Sequence, residues 1–305
     1  MTVSRRQLLK VSIGALLSGA ASPGSSNSPG NIITRKIPAT GEAIPVIGMG
    51  TWITFNVGDN PAIRQDRCKV LEKFFQMGGV MVDSSPMYGS SEEVVGYCTT
   101  RIETPQNFFP TTKVWTSSDS EGRNQIDDSF GLWRTNSFGL FQVHNLVNWE
   151  SHLPYLLELK QQGRIRYVGI STSHGRRHQE LEQIMNSQKI DFVQLTYNLQ
   201  DRAAEKRLLP LAADKGIGVV VNRPFRRGGL FDRIGGQPLP GWAGEIGCEN
   251  MAQIMLKFIV SHPSVTCAIP ATSQVAHMAE NMGAQQGPLP DGAMRQQMIN
   301  WFASI

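Results

Sequence analysis

Short apolar runs alternate with longer segments of helical period along most of the chain. The runs predict eight strands, at 46–51, 79–83, 108–113, 138–144, 166–171, 192–197, 218–222 and 265–269. The segments between and after them predict helices at 64–76, 92–97, 125–134, 152–162, 179–186, 203–213, 250–261 and 275–281. Eight strand–helix units favour an α/β fold closed into a (β/α)8 TIM barrel over an open sheet. The Gly-x-Gly-x-x-Gly of open dinucleotide-binding sheets also does not follow the first strand.

Three further segments are predicted in addition to the eight strand–helix units. Residues 33–47 predict an N-terminal β-hairpin with its turn at 39–42. A long connection at 223–248, rich in Arg, Gly and Pro, follows the seventh strand. Because such a loop lies at the catalytic face of a barrel, function is favoured over disorder. An extra C-terminal helix within 288–305 carries a stripe of Met and aromatic residues, which we interpret as core packing rather than a ligand wall.

The first 31 residues differ from the rest of the chain. Arg5 and Arg6 precede an apolar run at 11–21, and small and polar residues follow up to residue 31. This order is typical of a signal peptide and a flexible linker, and the run is too short for a stable membrane span. The paired arginines resemble the twin-arginine (Tat) export signal. We therefore expect the twin-arginine export machinery as a partner, a periplasmic or otherwise exported location, and one barrel domain at 32–305. The alternative is a cytoplasmic protein with a disordered basic tail.

The composition and charge of the chain indicate which general classes of protein are compatible with it. The chain is 40% hydrophobic and 18% charged, as expected for a soluble core with a polar surface. Its net charge of +4 is too diffuse to indicate nucleic acid as a partner, and the pairs Arg176-Arg177 and Arg226-Arg227 are interpreted as parts of solvated loops. The four cysteines are scattered and predict neither a disulfide framework nor a metal site; they are Cys68, Cys98, Cys248 and Cys267.

Polar side chains stand at the predicted carboxyl ends of the second, third and fourth strands. Asp83 ends the second strand and Tyr88 follows it by five residues, while Lys113 and His144 end the next two strands. Each residue alone has an ordinary structural explanation, such as a helix cap, a surface lysine, a core aromatic or a hydrogen-bonded core histidine. Because the carboxyl ends of parallel strands meet at one face of a barrel, we expect these four side chains to converge into a functional site.

The chemistry of this set suits proton transfer to an oxygen atom. A free phenol titrates near 10, so a nearby Lys113 ammonium is expected to lower the pKa of Tyr88 toward neutrality. Asp83 would pair with Lys113 and keep it charged, and His144 would hydrogen-bond the carbonyl oxygen. A general acid placed against an oxygen that becomes an alkoxide is what carbonyl reduction by hydride requires.

Seven motifs occur in the order of a known family. They are Met49-Gly50-Thr51-Trp52, Asp83-x4-Tyr88-Gly89 with Ser91-Glu92 and Gly96, Thr111-Thr112-Lys113, Gln142-Val143-His144-Asn145, Gly163-Arg164-Ile165-Arg166-Tyr167-Val168-Gly169-Ile170-Ser171, Gln194-x2-Tyr197-Asn198, and Ile269-Pro270-x9-Glu280-Asn281. Through them the chain resembles the aldo-keto reductases over residues 33–281.

The resemblance implies a monomeric barrel that binds NADP or NAD without a Rossmann unit and interconverts a carbonyl and an alcohol by hydride transfer. It makes Tyr88 the general acid/base, Lys113 and Asp83 its tuning pair, and His144 the partner that orients the substrate. The implied cofactor-binding positions are Gly50, Thr51, Ser171, Thr172, Gln194, Asn222, Arg223, Phe225, Ala271, Thr272, Ser273, His277, Glu280 and Asn281. Among them, Ser171 and Gln194 would bond the carboxamide, and Glu280 with Asn281 the adenosine end. The implied substrate positions are Trp52, Trp115 and Asn145.

The chain departs from the family pattern at the end of the site that holds the cofactor. Thr172 replaces an asparagine that pairs with the carboxamide, and Asn222 replaces a tyrosine that stacks on the nicotinamide. Ala271 and His277 stand where Lys and Arg often hold the 2′-phosphate of NADP. Because that phosphate is normally held by fixed cations, either an arginine of the long connection reaches it or the protein uses NAD as readily.

These departures leave a second class of function open. A nucleotide-sensing barrel of low activity could regulate a protein partner, although binding alone would not need the full set of Asp83, Tyr88, Lys113 and His144. A third possibility is an exported oxidoreductase that carries a tightly held dinucleotide with it. No segment indicates which carbonyl compound is the substrate or which direction the reaction runs.

Overall fold

The computed structural model describes residues 32–305, and the predicted signal and linker at 1–31 lie outside the described residues. The described chain begins with a two-stranded antiparallel hairpin of β1 (Thr34–Lys36) and β2 (Ala43–Pro45). Gly41, in the turn, has a φ of 79°, which a residue without a Cβ adopts at little cost. The predicted N-terminal hairpin is confirmed.

Eight parallel strands follow and form one sheet in chain order. They are β3 (Met49–Gly50), β4 (Met81–Asp83), β5 (Phe109–Val114), β6 (Phe138–His144), β7 (Ile165–Ser171), β8 (Phe192–Thr196), β9 (Gly218–Asn222) and β10 (Cys267–Ala268). The sheet closes between β3 and β10, where Gly48 N–H donates to the Ala268 carbonyl at 2.8 Å and Ala268 N–H to the Val46 carbonyl at 2.9 Å. The predicted TIM barrel is confirmed. The two closing strands are shorter than predicted because they pair through isolated bridges.

Ten helices accompany the strands in the described chain. They are α1 (Pro61–Gln76), α2 (Ser91–Thr99), α3 (Asp119–Trp133), α4 (Trp149–Gln161), α5 (His178–Ser187), α6 (Leu208–Lys215), α7 (Gly229–Ile234), α8 (Met251–Val260), α9 (Val275–Gly283) and α10 (Gly292–Ala303). No helix of residues 32–305 is both long and apolar enough to cross a membrane.

The predicted helices differ from the observed ones at one or both ends, and two of them differ most. The helix predicted at 203–213 is divided into a 3-10 turn, Ala203–Lys206, and α6. Pro210 lies in the first turn of α6, where its missing N–H costs no helical hydrogen bond, so the helix begins just before it. The helix predicted at 125–134 begins six residues earlier, because Ser118 accepts a hydrogen bond from the Glu121 N–H and caps α3.

The amino end of the barrel is closed by the hairpin. Ile37 and Ile44 belong to the same buried cluster as Phe109, Tyr167 and Phe192, which come from the strands. The Tyr167 hydroxyl also donates to a Glu42 carboxylate oxygen at 2.6 Å. A second, larger cluster fills the layer between strands and helices. Within residues 32–305, the carboxyl end of the barrel is the end that is left open.

The last helix packs onto the barrel. Met298 and Phe302 are buried in the larger cluster, as predicted for the Met and aromatic stripe. The Arg295 guanidinium donates to the Tyr197 hydroxyl at 2.6 Å and to Glu205 at 3.1 Å, which fixes α10 against the loop after β8.

Two of the four cysteines form a disulfide. Cys68 on α1 and Cys98 on α2 are bonded, with their Cα atoms 4.9 Å apart and both side chains buried. The prediction that the cysteines form no disulfide is therefore wrong for this pair. Their sequence separation of 30 gives no sign that α1 and α2 pack against each other. The 2.9 Å ion pair of Arg64 and Glu93 also holds the two helices together. Cys248 and Cys267 are free and buried.

Candidate active site

A buried ion pair joins the ends of β4 and β5. The Lys113 Nζ lies 2.6 Å from the Asp83 Oδ2 and donates a second hydrogen bond to the Ser84 carbonyl at 2.7 Å. Burial raises the pKa of Asp83 and lowers the pKa of Lys113, and the short contact between the charges opposes both shifts. The expected pairing of Asp83 with Lys113 is present.

Two amides complete the hydrogen bonding of the Asp83 carboxylate. Gln194 Nε2 donates to Asp83 Oδ1 at 2.9 Å, and Gln142 Nε2 approaches the same oxygen at 3.4 Å. Gln194 was expected to bond a cofactor carboxamide, whereas here its donor atom is used by the carboxylate. It still lines the cavity described below.

Tyr88 ends the 3-10 turn Pro86–Tyr88 that follows β4. The Ser85 hydroxyl accepts from the Met87 N–H at the start of this turn, and Gly89, with φ at 60°, allows the chain to leave it. The Tyr88 ring lies 5.3 Å from Lys113 Nζ and 6.0 Å from the His144 ring, measured to ring centroids.

The predicted lowering of the Tyr88 pKa is wrong. Burial raises the pKa of the phenol well above its ordinary value, and the negative charge of Asp83 adds to this. The Lys113 ammonium instead gives its hydrogen bonds to Asp83 and Ser84. The phenol is therefore held in its protonated form at neutral pH, which is the form that can donate a proton.

His144 is held as a neutral imidazole. Burial and the positive charge of Lys113 lower the pKa of His144 well below its ordinary value. Its Nδ1 lies 2.8 Å from the Ser171 hydroxyl, which fixes the orientation of the ring. Ser171 was expected to bond the cofactor, whereas the structure places it against His144 and outside the cavity lining.

A cavity of about 750 Å³ opens beside these groups at the carboxyl end of the barrel. The predicted site residues in its lining are Gly50, Thr51, Trp52, Asp83, Tyr88, His144, Asn145, Thr172, Gln194, Asn222, Arg223, Phe225 and Ala271. The remaining ones lie outside the lining; they are Lys113, Trp115, Ser171, Thr272, Ser273, His277, Glu280 and Asn281. Trp115 is 40% exposed, so the aromatic mouth of the cavity consists of Trp52 and Tyr88 without it.

The positions that depart from the family pattern have structural partners of their own. Asn222 Nδ2 donates to the Thr172 carbonyl at 2.9 Å, and its Oδ1 accepts from Thr196 at 2.7 Å. Thr272 Oγ1 accepts from the Gln274 N–H at 3.1 Å, which turns the chain into α9. These bonds fix the backbone of the cofactor-facing loops.

Two buried polar atoms in the lining have no hydrogen-bond partner within residues 32–305. They are Thr172 Oγ1 and Arg223 Nη1. A buried polar atom without a partner is costly, and both atoms belong to residues of the cavity wall. They therefore mark places where a polar, negatively charged ligand would complete the structure.

Four arginines line the cavity. Arg223 and Arg227 belong to the long connection whose arginines were considered for the cofactor phosphate, whereas Arg176 and Arg177 were not predicted as site residues. Arg176 and Arg177 lie on the loop after β7, and Arg227 on the connection after β9. The Arg227 guanidinium lies 4.0 Å from the centroid of the Trp52 ring. All four arginines of the pairs Arg176-Arg177 and Arg226-Arg227 are exposed, as interpreted, and three of them, Arg176, Arg177 and Arg227, also line the cavity. The only signal in the sequence was their position after strands five and seven.

The described residues offer no cluster of three or more His, Cys, Asp or Glu side chains that could hold a metal ion.

Comparison with known proteins places the chain in a family. The sequence model of the Aldo/keto reductase family matches residues 46–297. Methylglyoxal reductase YeaE of Escherichia coli is 26% identical over 78% of this chain and 84% of its own length. The NADH-specific methylglyoxal reductase of the same organism is 26% identical over 74% of this chain and 78% of its own length.

Solved structures share the fold. An aldo/keto reductase from Klebsiella pneumoniae in complex with NADP and acetate has a TM-score of 0.71 and 24% identity, over 86% of this chain and 93% of that one. Aldo-keto reductase AKR11C1 from Bacillus halodurans, in its holo form, has a TM-score of 0.73 and 20% identity, over 89% and 96%.

Proposed function

The chain belongs to the aldo/keto reductase family, a family of nicotinamide-dependent oxidoreductases, and from this we propose that it interconverts a carbonyl compound and an alcohol with Tyr88 as the general acid and base. In reduction, a bound reduced nicotinamide would supply the hydride that forms the new C–H bond at the carbonyl carbon. The C=O π bond breaks, and the oxygen takes the phenolic proton of Tyr88. The carbonyl compound is reduced and the cofactor is oxidised.

The observation that supports this function is the protonated phenol between a buried cation and a neutral imidazole. As the carbonyl oxygen gains negative charge, the proton on Tyr88 can move to it, and the Lys113 charge, 5.3 Å from the ring, favours the phenolate that remains. His144 is neutral, so it can hydrogen-bond the oxygen without a competing charge. Asp83 keeps Lys113 in place through the 2.6 Å contact.

We assign NADP or NAD to the cavity as cofactor. The unpartnered atoms Thr172 Oγ1 and Arg223 Nη1 lie in the wall where a dinucleotide would pass, and Arg223 is suited to a phosphate. Gly50 lines the same wall, and a Cβ there would lie 2.9 Å from the Ile269 carbonyl oxygen, so the close approach of β3 and β10 requires glycine. Similar proteins are associated with each of the two cofactors: one relative is named NADH-specific, and one similar structure was solved with NADP.

The export of the chain is a further part of the proposal. The paired Arg5 and Arg6 before an apolar run are typical of a twin-arginine signal. The Cys68–Cys98 disulfide supports an oxidising destination, where such bonds persist. A chain that folds before export could carry its dinucleotide with it, and analysis of the nucleotide released when the exported protein is denatured would test this.

The test of the catalytic proposal is the Tyr88→Phe variant. We expect carbonyl-dependent oxidation of NADPH or NADH, with methylglyoxal as the first substrate, to fall at least about a hundredfold, because general acid catalysis contributes on the order of 10²–10⁴. Cofactor binding, followed by fluorescence titration, should persist because the phenyl ring is retained.

Tyr155→Phe is the matched control. Tyr155 lies on α4 outside the cavity, where its ring contacts the Arg123 guanidinium at 4.4 Å, and the variant loses the same hydroxyl group. Turnover by Tyr88→Phe equal to that of Tyr155→Phe would refute the role of Tyr88.

A further inference from the structure

The loop after β7 is attached to the side of the cavity where His144 lies. The Ser173 hydroxyl donates to Asn145 Oδ1 at 3.0 Å, and Arg177 Nη1 donates to the Asn145 carbonyl at 2.5 Å. Asn145 directly follows His144 at the end of β6. The loop is therefore held beside the imidazole, near the place where a carbonyl oxygen would meet Tyr88.

The arginines of this loop differ in their pairing. Arg177 forms an ion pair with Glu180 at 2.5 Å, which neutralises its charge. Arg176 forms no ion pair with any carboxylate of residues 32–305, although it lines the cavity. Burial lowers the pKa of the neighbouring His174, and the charges of Arg223, Arg227 and Arg176 lower it further. Cations of both loops therefore lie near His174.

The cavity carries a large excess of positive charge. Four arginines line it, and Asp83 is the single carboxylate of the described chain in its wall, already neutralised by Lys113. Arg227 reaches from the loop after β9 to the Trp52 ring, on the loop after β3. Cations of the loops after β7 and β9 therefore stand at the mouth, while the reacting end is formed by Tyr88 and His144.

We propose that Arg176, together with Arg227, binds the anionic group of the substrate, so that the preferred substrates are carbonyl compounds that carry a carboxylate or a phosphate. This rests on the proposed reductase function and specifies its substrate class. Guanidinium groups bind both oxyanions through charge-assisted, often paired hydrogen bonds. Arg223, whose buried Nη1 has no hydrogen-bond partner within residues 32–305 and which lies near Asp201, is left to the cofactor phosphates.

The test compares charged aldehydes with neutral counterparts. The pairs are 4-carboxybenzaldehyde with methyl 4-formylbenzoate, and glyceraldehyde 3-phosphate with glyceraldehyde. In Arg176→Gln we expect the KM for each anionic aldehyde to rise about tenfold, as for the loss of one charge-assisted contact, while kcat stays within about twofold. The KM for the neutral aldehydes should not change. Added salt should raise the KM for anionic aldehydes more in the native protein than in the variant.

Arg202→Gln is the matched control, because Arg202 follows β8 at the same end of the barrel but does not line the cavity. It should change neither KM. A binding measurement without turnover complements the kinetics: by calorimetry in the presence of NADP, benzoate should bind the native protein more tightly than benzamide. Arg176→Gln should remove this difference.

Three results would overturn the proposal: equal effects of Arg176→Gln on charged and neutral aldehydes, no effect on either, or a weaker NADPH affinity without any change in the KM for aldehydes. The last would assign Arg176 to the cofactor phosphates. If the native protein reduced no carbonyl compound, the reductase function would fail, and the benzoate and benzamide titrations would still decide whether Arg176 binds an anionic ligand.

Discussion

The Cys68–Cys98 disulfide should contribute strongly to stability because it joins two cysteines that are 30 positions apart in the sequence. The chain-entropy relation gives about 12 cal/mol/K for a loop of roughly 30 residues, or about 3.6 kcal/mol at 25 °C. The entropy of unfolding is about 2.1 cal/mol/K per residue, over roughly 270 residues. Loss of the disulfide's stabilisation should therefore lower Tm by about 6 °C. The perturbation is the double variant Cys68→Ala/Cys98→Ala.

Removal of two buried sulfur atoms also leaves small cavities, so the packing cost has to be subtracted. The double variant Cys248→Ala/Cys267→Ala removes the two free, buried thiols and serves as the control. We expect urea unfolding, followed by circular dichroism, to show the disulfide variant less stable than this control by about 3.6 kcal/mol. Equal stability of the two double variants would refute the reasoning, as would four free thiols in the oxidised, denatured protein, where two are expected.

Two further predictions concern protonation and export. The folded-state pKa of His144 lies below its unfolded value near 6.5, so the unfolded chain binds the extra proton first and the free energy of unfolding should fall as pH drops below about 6.5. Urea unfolding at pH 7.5, 6.5 and 5.5 should show that the free energy of unfolding falls less steeply with decreasing pH in His144→Asn than in the native protein. The two slopes should differ by up to about 1.4 kcal/mol per pH unit. Equal slopes would contradict the lowered pKa of His144. The variant Arg5→Lys/Arg6→Lys should keep the full chain in the cytoplasm with Cys68 and Cys98 reduced, as cell fractionation and thiol titration would show; equal export of both forms would count against a twin-arginine signal.

The strands could be predicted well where they are buried on both faces. The predicted bounds 138–144 and 218–222 agree with β6 and β9, because a strand of a parallel barrel is a continuous apolar run bounded by polar residues. The closing strands β3 and β10 were overestimated, since an apolar run does not show where regular pairing gives way to isolated bridges.

The sequence predicted those site residues whose place in the site follows from their position at the end of a strand. Asp83, Lys113 and His144 end their strands, so their convergence follows from the fold. Which partner takes a hydrogen bond depends on distances across the barrel, and so Gln194 on Asp83 and Ser171 on His144 were missed. The disulfide was missed for the same reason, because the packing of α1 against α2 is not visible in the spacing of their cysteines.

Because the hairpin closes the amino end of the barrel, the packing at that end is separate from the cavity at the carboxyl end. Its bonds to Tyr167, together with the buried strand cluster, make the floor and wall of the barrel one continuous packed body. The cations at the mouth, Arg176 and Arg227, are exposed side chains on the loops after β7 and β9 and are not part of the buried clusters. Substitutions there could redirect the enzyme to new substrates while the proton-transfer groups stay where they are. Evolution can therefore vary selectivity at the rim at little cost to folding.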